Sequence, residues 1–297
     1  MSAHTVVIYH KSDFDGIFCR EIALKFLGDD GVDYLGWEYG EPAPPILPDQ
    51  LLYILDLSVD ALMTHPKLIW IDHHKTAIEK YPATIPGYRI DGVAACRLAW
   101  QWFALNNSAM RSLGENQLPW KEAYIDRIVS EPLAVQLAGE YDIWDKRDER
   151  ADLFQHGLRS QELTADVWRE LLDEKATCGF AHRVQVLLTQ GKAIAYAKAN
   201  ENKSIIEKNG FTIQWEGLTF LCCNAGSYNS HLFTAGIKPE HEGLLGFCLR
   251  SNGKWSVSLY GVPHRPDVDL SGIAAKYGGG GHRQACGFTV DKLPFLS

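Results

Sequence analysis

Leu68-Ile69-Trp70-Ile71-Asp72-His73-His74-Lys75 is the stretch around which the chain is organised. Four apolar residues, the pattern of a buried strand, end abruptly in an acid and two imidazoles. Continuous apolar strands belong in parallel sheets covered on both faces. In open α/β sheets, ligands bind outside the carboxyl ends of the strands. Two further stretches end the same way. Val6-Val7-Ile8-Tyr9 runs into His10, Asp13 and Asp15, and Leu52-Tyr53-Ile54-Leu55 runs into Asp56. Three strands that deliver Asp or His at the same end make a metal site the leading expectation.

Outward from these strands, the pattern alternates. A strand over Thr5–His10 leads to an amphipathic helix over Gly16–Leu27, then a strand over Val32–Tyr39 and a proline-rich loop. After the strand Leu51–Leu55, Ser58 caps a short helix to His65, and Leu68–Ile71 follows. Helices are expected over Val93–Leu105 and, broken at Pro132, over Ala123–Tyr141. This β-α-β-α order predicts an α/β fold with an N-terminal doubly wound parallel sheet. From about Leu153 the rhythm changes. Helices over Asp166–Lys175 and Phe180–Glu207 read as a connector, although a plain packed helix explains the second nearly as well. Strands dominate after Gly210: Phe211–Trp215, Leu218–Cys223, Leu244–Arg250 and Trp255–Tyr260. A short helix over Leu270–Tyr277 then runs into Gly278-Gly279-Gly280-Gly281-His282. The expected division is 1–165 for the metal-binding domain, 166–209 for the connector and 210–297 for a smaller C-terminal α/β domain with a mixed sheet.

Bulk composition narrows the classes. A chain of 297 residues can bury a large core and is more easily two domains than one. Its formal net charge of −8 opposes a protein that grips long nucleic acid by charge alone. No apolar segment approaches the roughly 20 residues that span a bilayer. Met1-Ser2-Ala3-His4 lacks a signal peptide's basic start, so a cytoplasmic protein without membrane contact is expected. The seven cysteines are odd in number and form no C-x-x-C, which reads as buried reduced thiols.

The acids and imidazoles suggest a two-metal arrangement. Asp13 and Asp15, at i and i+2 after a strand, can straddle adjacent ions, and Asp56 can bridge them. His73 reaches one ion from the next strand, and Asp142 closes a shell from a helix end. Glu140 and Asp145 compete with Asp142 for that place. Carboxylates with a minority of imidazole suit Mn²⁺, and less surely Mg²⁺ or Fe²⁺. Each residue also has a plain use: Asp13 and Asp15 as turn or cap residues, Asp56 as a strand-end cap, each His as a structural group. At three strand ends together, the plain uses require too many coincidences.

Four stretches resemble the DHH phosphoesterase superfamily. They are His10-Lys11-Ser12-Asp13-Phe14-Asp15-Gly16, Ile54-Leu55-Asp56, Ile71-Asp72-His73-His74 and Tyr141-Asp142-Ile143-Trp144. The resemblance implies that His10 and Asp13 hold one Mn²⁺, that Asp15, His73 and Asp142 hold the other, and that Asp56 bridges. It further implies that Asp72 orients the cluster, while His74 contacts the scissile phosphate or assists the leaving oxygen. Family members usually carry a Ser at the helix start that here reads Gly92-Val93-Ala94-Ala95-Cys96.

The second domain adds Gly278 to Gly281 with His282 and Arg283. They resemble the glycine-rich motif of the C-terminal domain attached to many DHH enzymes. Gly279, Gly280, Gly281, His282 and Arg283, with Arg250 and Ser251, are then the expected substrate contacts, acting across a cleft. A flexible turn is the plain alternative for the glycines. Trp144, two residues beyond Asp142, has base stacking and core packing as competing uses. The function implied is a nano-RNase-like phosphodiesterase. It would cut short oligoribonucleotides or linear dinucleotides to mononucleotides through a metal-activated hydroxide. Exopolyphosphatase, 3′-phosphoadenosine 5′-phosphate phosphatase, single-strand exonuclease and a non-catalytic nucleotide sensor are the alternatives. The expected partner is a short RNA or dinucleotide, not a long duplex, with a homodimer left open.

Overall fold

The computed structural model describes residues 4–106, 118–145, 147–173 and 182–296. It divides into two compact units, Met1–Ile194 and Ala195–Ser297.

In the first unit, β1 (Thr5–His10), β2 (Val32–Trp37), β3 (Leu51–Leu55) and β4 (Leu68–Ile71) form a parallel sheet in the order β2-β1-β3-β4. Alternate side chains serve opposite faces, as the strand period requires. Val7, Tyr53, Leu55 and Ile71 join one core, and Val6, Ile8, Leu52, Ile54 and Trp70 join the other. The first face carries α1 (Phe14–Leu27), while α2 (Lys75–Lys80) gives Ala77 to the second. Also on the first core lie α3 (Ala95–Asn106), α4 (Lys121–Ile125), α5 (Leu133–Asp142), α6 (Arg150–Leu158), α7 (Ala165–Leu171) and the first turns of α8 (His182–Asn209). This is the α/β parallel sheet with two covered faces that the apolar strands predicted.

Several local expectations change. The helix after Ser58 is a single 3₁₀ turn, Asp60–Leu62. The break expected at Pro132 is present but wider: α4 already ends at Ile125, and α5 starts directly after the proline, which begins a helix far better than it continues one. The helix from Asp166 is observed as Ala165–Leu171. Glu174, Lys175, Cys178, Phe180 and Met1 to Ala3 lie outside the described residues. The division between the units falls inside α8, a continuous helix of 28 residues. Among the described residues no helix is long and apolar enough to cross a membrane.

The second unit is a mixed sheet of β5 (Phe211–Trp215), β6 (Leu218–Asn224), β7 (Gly243–Leu249), β8 (Trp255–Tyr260), β9 (Gly280–His282) and β10 (Ala285–Val290). Their order is β5-β6-β7-β8-β10-β9, with only β6 and β7 parallel. α9 (Ser271–Lys276) packs Ile273 and Ala274 on one face, and Ile206 of α8 packs on the other. The glycine run is therefore not a loose turn. Gly280 and Gly281 belong to an edge strand paired with β10. Among the described residues, Cys19, Cys96, Cys222, Cys223, Cys248 and Cys286 are free and buried.

Candidate metal centre

β1 and β3 are neighbours, and β1 has β2 on its other side, so chain connections leave this pair in opposite directions. That reversal opens a crevice at the carboxyl ends of the strands. His10 ends β1, Asp56 follows β3, and Asp72, His73 and His74 follow β4. Gly16 lets α1 start close against β1, because a Cβ there would stand 2.0 Å from the His10 carbonyl oxygen. That contact folds Asp13 and Asp15 back over the strand ends.

Asp56 joins the group together. Its Oδ2 lies 3.5 Å from His10 Nδ1, and its Oδ1 lies 3.4 Å from His73 Nε2. His10 Nδ1 is also 2.8 Å from Asp13 Oδ2. His73 Nε2 is 3.6 Å from Asp15 Oδ2 and 3.4 Å from Asp142 Oδ2. Candidate ligand atoms within 4.8 Å of one another thus form the sets His10-Asp13-Asp56, Asp15-His73-Asp142 and Asp56-His73-His74. The backbone of Asp56 is left-handed, φ 63°, an uncommon conformation for a residue with a Cβ and one that gathers at functional sites.

The electrostatics call for a cation. Asp56 is 1% exposed, and among the described residues neither of its oxygens has a hydrogen-bond partner. His10 Nδ1, close to Asp13 and Asp56, likewise forms no hydrogen bond among the described residues. Burial pushes Asp15, Asp56 and Asp142 up to about 7. The Asp13 and Asp56 carboxylates push His10 up to about 11. Unmatched buried carboxylate oxygens with two imidazole nitrogens are the donor set of a hard or borderline divalent ion. The residues present fit such an ion.

Surrounding groups fix the ligands. Asp15 accepts from the backbone N–H of Ala95 and of Cys96, each at 2.8 Å, at the start of α3. These donors are backbone groups, in the helix start where the resemblance led one to expect a Ser. Asp13 caps α1, accepting from Gly16 N–H at 3.0 Å, so its plain use and its place in the cluster coexist. Asp72 Oδ1 accepts from the N–H of His73 (2.7 Å) and of His74 (3.1 Å), and meets His74 Nδ1 at 2.7 Å. That contact pushes His74 up to about 9. Glu140 pairs with Arg127 and Asp145 with Arg147, which leaves Asp142 as the acid of its segment in the cluster. Sequence reasoning missed Glu38, whose Oε1 stands 3.4 Å from His10 Nε2. It sits just beyond β2, and only the strand order brings it to His10.

In the second unit, the Arg250–Ser251 turn follows the Leu249↔Trp255 pair, whereas His282 opposes Ala285, which opposes Tyr260. These are opposite ends of β8. With six residues along the strand and three strand spacings across, they are separated by about 20–25 Å. Arg250 and Ser251 therefore cannot share one phosphate with His282 and Arg283. Arg283 also donates to the Asp267 carbonyl.

No family model matches the chain, and no curated protein matches it in sequence. Solved structures do match. A pGpG-specific phosphodiesterase from Vibrio cholerae is 14% identical with a TM-score of 0.53, over 97% of this chain and 93% of that one. A DHH domain assigned to a family of ribosomal proteins is 12% identical with a TM-score of 0.55, over 97% and 82%. This likeness spans both units, so the chain shares its fold with a DHH domain and carries Asp72-His73-His74 at the end of β4.

Proposed function

We propose that the chain is a metal-dependent phosphodiesterase that hydrolyses short oligoribonucleotides or linear dinucleotides to mononucleotides. The observation that carries this reading is Asp56, whose two oxygens face His10 and His73 and join two ligand sets into one. Divalent ions, Mn²⁺ in first place with Mg²⁺ or Fe²⁺ as alternatives, would polarise the phosphodiester and activate water when bound. His10 and Asp13 would hold one ion, Asp15, His73 and Asp142 the other, and Asp56 would serve both. Glu38 and the Ala95 and Cys96 N–H groups keep these ligands aimed. Asp72 occupies His74 Nδ1, so Nε2 is the nitrogen that donates to a phosphate oxygen or to the leaving oxygen. Gly279, Gly280, Gly281, His282 and Arg283 contact substrate from the second unit. Arg250 and Ser251, at the other sheet end, would meet only a longer oligoribonucleotide together with that group. A dinucleotide substrate is supported by the Vibrio protein of similar fold, which is specific for pGpG.

The test is Mn²⁺-supported hydrolysis of end-labelled RNA from dinucleotides to long oligomers, beside pyrophosphate, polyphosphate and 3′-phosphoadenosine 5′-phosphate. Preference for the shortest RNAs is the expected result. Steady cutting of the longest RNA, or activity on the other phosphates alone, would overturn the substrate. An active Asp56→Ala variant would overturn the mechanism.

A further inference from the structure

Two helices end in the same backbone motif with different residues at its turning point. At the end of α9, Gly278 N–H donates to the Ala275 carbonyl (3.1 Å) and Gly279 N–H to that of Ala274 (3.0 Å). At the end of α5, Trp144 N–H donates to the Tyr141 carbonyl (3.1 Å) and Asp145 N–H to that of Glu140 (2.9 Å). This paired bonding turns the chain out of a helix through one left-handed residue, most often glycine. In α9 it is Gly278, φ 75°, and in α5 it is Trp144, φ 56°. Glycine takes that backbone freely, whereas a side chain bearing a Cβ is strained there. Nor does core packing explain the tryptophan, which is 64% exposed.

Its position does explain it. Asp142, one of the clustered carboxylates, is two residues earlier, and two residues span at most about 7 Å. The next residue is held fast. Asp145 accepts from Arg147 Nε at 2.8 and 3.0 Å, and Arg147 Nη1 donates to the Ile125 carbonyl at 2.8 Å. An exposed indole thus stands on a fixed backbone two residues from Asp142, whose carboxylate belongs to the candidate metal centre.

We propose that Trp144 is a stacking platform for a nucleobase of a phosphodiester bound through the divalent ions that Asp15, Asp56 and Asp142 would hold, and that it selects nucleotides over base-free phosphates. The inference rests on the phosphodiesterase reading above. A base is one sugar away from its phosphate, which matches the short step from Asp142 to Trp144. Every base has a π-face, so stacking here is tolerant of sequence.

The test compares wild type with W144F, W144L and W144G in Mn²⁺, on a dinucleotide and on inorganic pyrophosphate. W144L and W144G raise KM for the dinucleotide roughly tenfold and leave kcat unchanged. W144F keeps most of the affinity, and rates on any base-free substrate do not move. W144G melts no lower than wild type, because glycine relieves the left-handed backbone. An unchanged KM in W144L, or a W144G protein that melts lower, overturns the inference while the phosphodiesterase reading stands. If wild type cleaves no dinucleotide, that reading falls and binding decides the inference separately. The fluorescence difference between wild type and W144F is then followed with adenosine monophosphate and with ribose 5-phosphate. Quenching by the nucleotide alone supports stacking, and equal or absent quenching overturns it.

Discussion

The carboxyl ends of β1, β3 and β4 and the glycine run after α9 both stand out by residue type, yet their interiors differ. At the strand ends, backbone N–H groups fix Asp13, Asp15 and Asp72, yet Asp56 keeps two buried oxygens without partners among the described residues. In the glycine run, the backbone accounts for nearly everything. Gly278 turns the chain out of α9 at φ 75°. A Cβ on Gly279 would stand 2.1 Å from the Gly287 carbonyl oxygen, and one on Gly281 2.7 Å from Cys286 Cα. Gly278 and Gly280 have open space beside them, with nothing within 4 Å, but Gly278 needs its left-handed backbone and Gly280 does not. Unusual composition therefore has two sources. One is a fold that needs close approach, and the other is buried charge that needs a ligand.

The largest effect is expected at the bridge. Asp56→Ala removes hydrolysis and the binding of both ions, measured by elemental analysis, while circular dichroism stays native. If one ion remains, the two ligand sets are independent and the cluster is less unified than drawn. Next is Glu38→Gln, which weakens metal binding about 10- to 100-fold by titration, as removing the group behind a ligating imidazole does. A smaller effect is pH-dependent. Without ions, Asp15, Asp56, Asp142, His10 and His74 all hold protons more tightly folded than unfolded. Stability therefore falls as pH rises through these shifts. The ion-free Tm declines from pH 5 to pH 8, and Mn²⁺, which needs deprotonated ligands, flattens or reverses the slope. A rising ion-free Tm would remove the argument that the cluster is built for cations.

The glycine run carries the smallest effects. Gly281→Ala, strained at φ 131° and crowded by Cys286, costs about 1–3 kcal/mol in denaturant unfolding. Gly280→Ala stays within about 0.5 kcal/mol of wild type, and a raised KM there isolates a substrate role from a structural one. Equal destabilisation by both would mean that the run serves the sheet alone.

The parallel sheet and its end rich in acids and imidazoles were legible because each strand carries its own signal: an apolar run and then an acid or imidazole, as in Leu68 to His74. Asp142 could be separated from Glu140 and Asp145 only once Arg127 and Arg147 were seen to pair with the other two. Glu38 stayed hidden because its meeting with His10 depends on strand order. The donors to Asp15 stayed hidden because backbone N–H groups of Ala95 and Cys96 leave no mark in residue type. β9 was missed for a related reason, since glycine has a low strand propensity and Gly280 and Gly281 pair through backbone alone. Arg250 and His282 were grouped by chemistry, and the register separates them.

The buried thiols give the molecule a chemical clock of its own. Cys19 and Cys96 lie in the first unit, Cys96 directly behind Asp15, and Cys222, Cys223, Cys248 and Cys286 lie in the second. An alkylating reagent can reach any of them only during an opening event. Mass mapping of which thiols react first would time the breathing of each unit without a single introduced probe. If added metal slows Cys96 and leaves Cys222 untouched, the ions brace the sheet that binds them and nothing beyond it.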